Sequence, residues 1–172
     1  MSMQICVLTD SRLTSIAEWQ KAIDDEGFPL RLSDADPDRN LAARLRDEET
    51  SIEYGVHDFL ELKNVYKNVS FGHDWAYAIA FTWSPDFAEE ISAWMAAAAY
   101  ASATRGVIFD QQEGKVLSFE ESLKVIREIE QRRPEMEAIL QNYIEGLSAK
   151  SPGADAALRD FMQRRLGRSS RG

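Results

Sequence analysis

The 172-residue chain has a single cysteine, Cys6, and only two histidines, His57 and His73. A lone thiol excludes an internal disulfide and a cysteine-based zinc site. No run of about 18 apolar residues occurs, so no transmembrane helix is expected. The opening stretch MSMQICVLTD has no basic segment followed by an apolar one. No signal peptide is therefore expected, and the chain reads as cytoplasmic. Gly-rich phosphate loops of the GxGxxG or GxxxxGK type are absent, as are HExxH, GxSxG and Cys-x-x-Cys. No internal repeat occurs. Nothing in the sequence therefore calls for a cofactor or a metal.

Basic charge is also short. The chain has 20 Lys+Arg against 29 Asp+Glu, a formal net charge of −9. Nucleic-acid binders need clustered Lys and Arg for their phosphate contacts, so that class is disfavoured. The imbalance is uneven. Residues 1–122 hold 22 acidic and 10 basic side chains, whereas residues 123–172 hold 7 acidic and 10 basic. An acidic front is thus joined to a weakly basic back.

The 44% apolar content fits a folded domain with a real core. Ile5–Leu8 is an unbroken apolar run, the pattern of a strand buried on both faces. Ser15 and Glu18 form a capping-box pattern, and Ile16, Trp19 and Ile23 predict a helix over about 14–26, closed by Gly27. Phe28–Leu32 reads as an edge strand. Residues 34–50 read as a polar loop with one helical turn near Leu41–Leu45. Ile52, Tyr54 and Val56 alternate as a strand, which Phe59, Leu60 and Leu62 extend or follow with another. From Trp75 to Trp83, bulky Trp75, Tyr77, Ile79, Phe81 and Trp83 alternate with Ala76, Ala78, Ala80 and Thr82, so one face is large and the other small.

Ser84-Pro85-Asp86 reads as a helix start with Ser84 as N-cap, and the helix should end near Thr104 with Gly106 beyond. Val107–Phe109 and Val116–Leu117 flank turn residues and read as a hairpin. Ser118 to Glu121 is a second capping box, opening a helix that Pro134 breaks or kinks near Arg132. Met136, Leu140, Tyr143 and Leu147 mark a further helix. Together these predict an α+β fold. Its sheet is mixed but mostly antiparallel, of five or six strands, with helices mainly on one face like a split βαβ unit, plus C-terminal helices. Residues 1–147 read as one domain. Residues 148–172 read as a linker, a short helix marked by Leu158, Phe161 and Met162, and a basic tail carrying Arg164, Arg165, Arg168 and Arg171.

Candidate chemistry is sparse. Cys6 lies in an apolar strand, where a thiol is packing rather than nucleophile. His57-Asp58 and His73-Asp74 are His-Asp pairs that could ligate a metal, but both fall beside polar turns. An enzyme of unrecognised type would draw on Asp10, His57 or His73 with nearby carboxylates. Acidic side chains offer another reading, because complementary potentials steer protein partners together. Asp34, Asp36 and Asp38, then Asp47, Glu48, Glu49 and Glu53 with Tyr54, are the expected partner-binding residues. Tyr66, Phe71 and Trp75 are further aromatics that could anchor an interface.

Three stretches carry a resemblance: HDWAYAIAFTW at 73–83, AWMAAAAY at 93–100 and ASATRGVIFDQQEGKVLSFEESL at 101–123. An alternating bulky strand leads into an Ala-rich helix and then a Gly-Val-x-x-Asp-x-Gln-x-Gly hairpin. Over roughly residues 73–122 the chain resembles small acidic bacterial immunity proteins encoded beside polymorphic toxins such as secretion-system effectors. The resemblance implies an inhibitor without a catalytic site. Such a protein binds a cognate toxin and blocks its active site or substrate entry.

Overall fold

The structure, a computed structural model, describes residues 3–33 and 40–150. In chain order they form β1 (Met3–Thr9), α1 (Ile16–Asp25), β2 (Leu30–Leu32), β3 (Asn40–Leu45), β4 (Glu48–His57), α2 (Phe59–Val65), β5 (Tyr77–Trp83), α3 (Phe87–Thr104), β6 (Val107–Asp110), β7 (Lys115–Leu117) and α4 (Phe119–Lys150). The strands make one sheet in the order β2-β3-β4-β5-β1-β6-β7. Every pair is antiparallel. The α+β class, the helices mainly on one face and the C-terminal helix agree with the sequence pattern, with α2 on the other face; the described sheet is wholly antiparallel and not mixed, because no strand pair is joined by a parallel crossover. The sheet has one strand more than the pattern suggests. No helix among the described residues is long and apolar enough to cross a membrane.

The alternation in β5 builds two cores. Ile79, Phe81 and Trp83 face the larger one, under α1, α3 and α4. Ala78 and Ala80 face the smaller one, together with Cys6 and Leu8 of β1. Small side chains there leave room for three phenyl rings. Phe59 of α2, Phe71 and Phe109 stack edge to face, with centroids 5.4 and 5.0 Å apart. The large core is organised by α3, whose residues Ile91 to Ala101 are all buried. A helix that is apolar on every side is a central one.

Four local readings are corrected. Leu41–Leu45 belongs to strand β3: Leu41, Ala43 and Leu45 are buried while Ala42 and Arg44 are exposed. The chain turns into β4 through Arg46 in a left-handed conformation, φ 54°. Phe59–Leu62 lies in helix α2, because the Asp58 carboxylate accepts the Leu60 N–H at 2.8 Å and starts a helix after β4. The N-cap of α3 is Asp86, which accepts from the N–H groups of Ala88 and Glu89 at 2.9 and 3.1 Å. Ser84 instead donates both its N–H and its hydroxyl to Glu89. Pro134 does not divide the last helix, and α4 runs through it to Lys150. The segment read as a linker therefore begins inside α4, and residues 151–172, with their expected helix and basic tail, lie outside the described residues.

Two devices hold distant parts together. Helix α4 starts beside β7 and reaches the β3–β4 turn, where Glu130 pairs with Arg46 at 2.7 Å. One turn on, Arg133 donates to both oxygens of Glu48, at 3.0 and 2.8 Å, and to Glu137 at 2.8 Å. Arg133 and Glu48 are each only 16% exposed, so this bidentate pair is far better shielded than a surface ion pair. At the β2 edge of the sheet, next to β3, Gln20 of α1 caps the strand. Its amide oxygen accepts the Leu32 N–H at 2.7 Å, and its NH₂ donates to the Leu30 carbonyl at 3.0 Å. This side chain satisfies backbone groups that an edge strand would otherwise leave open.

Helix α3 ends in a Schellman motif. The Gly106 N–H donates to the Ala101 carbonyl at 2.8 Å, and the Arg105 N–H to the Ser102 carbonyl at 3.4 Å. The left-handed residue is Arg105, at φ 55°, and not the glycine. Gly106 answers a different constraint. A Cβ there would lie 2.5 Å from the Leu8 carbonyl oxygen of β1. Gly106→Ala is therefore expected to destabilise the fold by about 1–3 kcal/mol through overpacking. Arg105→Gly is expected to gain about 1 kcal/mol by relieving the left-handed backbone. Urea unfolding of the two variants checks this, and equal effects of like sign would refute it.

Candidate functional site

The expected acidic surface does not assemble as one patch. Asp34, Asp36 and Asp38 lie outside the described residues. Asp47, Glu49 and Glu53 are exposed. Strand alternation sends neighbours to opposite faces, so Glu48 and Tyr54 share the helix-covered side with Ile52. Glu48 is committed to Arg133. Tyr54 packs edge to face on Trp19, with ring centroids 5.2 Å apart. Of the other aromatics, Phe71 is buried, while Tyr66 stacks on Phe109 and donates its hydroxyl to Gln111. Trp75 donates its indole N–H to the Phe71 carbonyl.

The residues suggested for catalysis have identifiable structural partners. His73 Nε2 lies 2.9 Å from Asp10 Oδ2, and its ring stacks on Trp75 at 3.8 Å. The other Asp10 oxygen accepts the Ala76 N–H at 3.0 Å. The Ala76 amide, then His73, hold the Asp10 carboxyl below its usual range. This exposed cluster ties the end of β1 to the loop before β5. His57 lies apart in sequence, at the end of β4, its imidazole over Gly55. No three His, Cys, Asp or Glu side chains converge as a metal site among the described residues. Cys6 is 1% exposed and accepts from Gln111 Nε2 at 3.0 Å. Burial pushes its thiol up to about 11, although the Gln111 hydrogen bond opposes this. Thiol reagents should therefore modify Cys6 only as fast as the protein opens. Labelling of the native chain at the rate of a free thiol would contradict that assignment.

A different site comes into view beside α4. A cleft of about 990 Å³ opens between α4, the β6–β7 hairpin and the start of β1. Its floor is apolar, built from Met3, Trp83, Phe87, Trp94, Leu117 and Ile129. Carboxylates of Glu90, Asp110, Glu113, Glu128 and Glu135 surround it, with Lys115 and Arg132 as the basic members. Trp83 is buried, and its indole nitrogen has no hydrogen-bond partner among the described residues. An unsatisfied buried donor is costly, about 1–3 kcal/mol, so a small adjustment that offers it an acceptor is favoured. A second cleft of about 400 Å³ adjoins the first and shares Met3, Phe87, Glu90 and Met136 with it. An apolar floor with an acidic rim suits a basic amphipathic segment of a protein.

Sequence reasoning missed this site because its acids come from α3, the β6–β7 turn and α4, and adjoin only after folding. The available signal was the stretch 73–122, which supplies Trp83, Phe87, Glu90, Trp94, Asp110, Glu113 and Leu117. No family model, curated protein or solved structure matches the chain.

Glu90 reports on the cleft. Burial raises its carboxyl above the usual range, and the Arg132 charge only partly offsets that. A carboxyl raised by folding contributes most below its unfolded range and loses that contribution as pH rises through the folded value. Glu90→Gln is thus expected to raise the thermal midpoint at pH 7 relative to the parent. The difference should shrink as both proteins are acidified towards pH 4. A glutamine variant that is less stable at pH 7 would refute this account.

Proposed function

We propose that the chain is an immunity-type protein of the bacterial cytoplasm that neutralises a cognate toxin by covering its active site or substrate cleft. The observation that carries this reading is the acid-rimmed, apolar-floored cleft beside α4. Toxins that act on nucleic acids or nucleotides present basic clefts to anionic substrates, and an acidic inhibitor competes for the same surface. The stretch that resembles immunity proteins builds most of the cleft, which adds support. Aromatic floor residues provide anchors of the kind that dominate binding energy, and the carboxylates provide steering and register. The exposed Asp47, Glu49 and Glu53 form a rival acidic surface on the β3–β4 hairpin.

Co-expression with the product of the adjacent gene tests the function. Protection of growth is expected, together with a stable complex. Within that complex, Glu113→Lys with Glu128→Lys and Glu135→Lys should weaken binding by about 100-fold or more, since each rim charge reversal costs on the order of 1 kcal/mol. Asp47→Lys with Glu49→Lys and Glu53→Lys should weaken it far less. A non-toxic neighbour, or a toxin against which the chain gives no protection, overturns the function. The reverse order of the two triple variants overturns the cleft as the contact surface.

A further inference from the structure

Glu90 is the rim carboxylate common to the two clefts beside α4. It lies in the first turn of α3 and is half-buried. Its neighbour Glu89 accepts from the Ser84 N–H and hydroxyl. The Glu90 carboxylate, by contrast, has no hydrogen bond or ion pair among the described residues. Arg132 acts on it only through its charge, and the Arg132 Nε donates to the Glu128 carbonyl at 3.4 Å.

Phe87, Glu90 and Trp94 stand at steps of three and four residues, so they share one face of α3, with Glu90 one turn from each aromatic. All three line the larger cleft. Trp83 lines it too, its ring centroid 6.5 Å from that of Trp94. Trp83 is only 4% exposed, and its indole N–H is the buried donor without an acceptor. Two groups in one cleft thus have unmet demands, Glu90 for a cation and Trp83 for an acceptor. Burial also sets the Glu90 charge against the fold, whereas a bound cation would favour that charge.

Arginine suits both demands. A guanidinium is planar and weakly hydrated, stacks on aromatic faces and presents paired N–H donors to one carboxylate. An ammonium is a more strongly hydrated point charge. The peptide unit of an arginine residue also carries a carbonyl, which can accept from an indole. We propose that the cleft is an arginine receptor. Glu90 takes the guanidinium of one arginine side chain of the partner, Phe87 and Trp94 flank it, and a peptide carbonyl of the same segment accepts the Trp83 N–H. That the arginine belongs to a toxin rests on the function proposed above, whereas the guanidinium site does not.

Titration of the intact chain with N-acetyl-arginine N-methylamide, followed through the four tryptophan indole N–H resonances, tests the site. The Trp83 signal, assigned by its loss in Trp83→Phe, should shift downfield and saturate. The dissociation constant should be on the order of millimolar, as befits a single side chain. Glu90→Gln should weaken binding at least about tenfold, because a charge-assisted pair becomes a neutral one. That variant is expected to be the more stable at pH 7, so unfolding does not account for the loss. Arg132→Gln should tighten binding about twofold or more, because a like charge beside the site is removed. The lysine analogue should bind several-fold more weakly, and the uncharged citrulline analogue should not bind. Absence of a saturable Trp83 shift, unchanged binding in Glu90→Gln, or equal binding of the lysine or citrulline analogue overturns the proposal. A chain that binds the probe yet gives no growth protection keeps the site and loses the toxin as its partner. A chain that protects growth without binding the probe keeps the immunity reading and loses the site.

Discussion

Eleven consecutive residues of α3, Ile91 to Ala101, are buried, and the rest of the fold is arranged to keep them so. The sheet lies beneath them, α1 covers one side and α4 another. A helix enclosed this way can carry bulky side chains only where neighbours recede. Alanine fills the closest approaches, and Trp94 and Tyr100 reach outwards to Trp83 and Trp19. Burial also fixes the ends of the helix. Asp86 satisfies amides at its start, and the reversal at Arg105 and Gly106 delivers the chain straight into β6 against β1. A side chain added at Gly106 would meet the Leu8 carbonyl and push the end of α3 away from β1.

The parts of this fold that could be read in the sequence are those where local pattern and tertiary demand agree. Ile5–Leu8, the alternation before Trp83 and the two capping boxes are of this kind. The α+β class follows from their order. The misreadings arise where tertiary contacts override local signals. Leu41, Ala43 and Leu45 alternate, yet the surrounding charges hide a strand that exists because β2 and β4 flank it. Pro134 is exposed, so the Glu130 carbonyl it deprives of a donor can be hydrated, and ion pairs on either side hold the helix in line.

The candidate site was less legible for a geometrical reason. Acidic residues adjacent in sequence were read as adjacent in space, but a strand separates neighbours onto opposite faces. Glu48 and Glu49 show this directly, one locked to Arg133 and the other facing away beside Arg44. The parity of Ile52 would have sorted them. Glu90, Asp110 and Glu128, by contrast, carry no local mark of their proximity. Their common feature is the space that α4 leaves as it crosses from one side of the sheet to the other.

That crossing has a consequence for how the protein is made. Among the described residues all seven strands are complete by Leu117, and the sheet could pair once that point has emerged. Glu48 must wait for Arg133 before its carboxylate has a partner in its half-buried place, and the underside of α3 must wait for Ile126 and Ile129. A nascent chain halted between these points has a paired sheet with an open apolar wound. Helix α4 therefore ties the early β3–β4 hairpin to the late β6–β7 hairpin across the sheet.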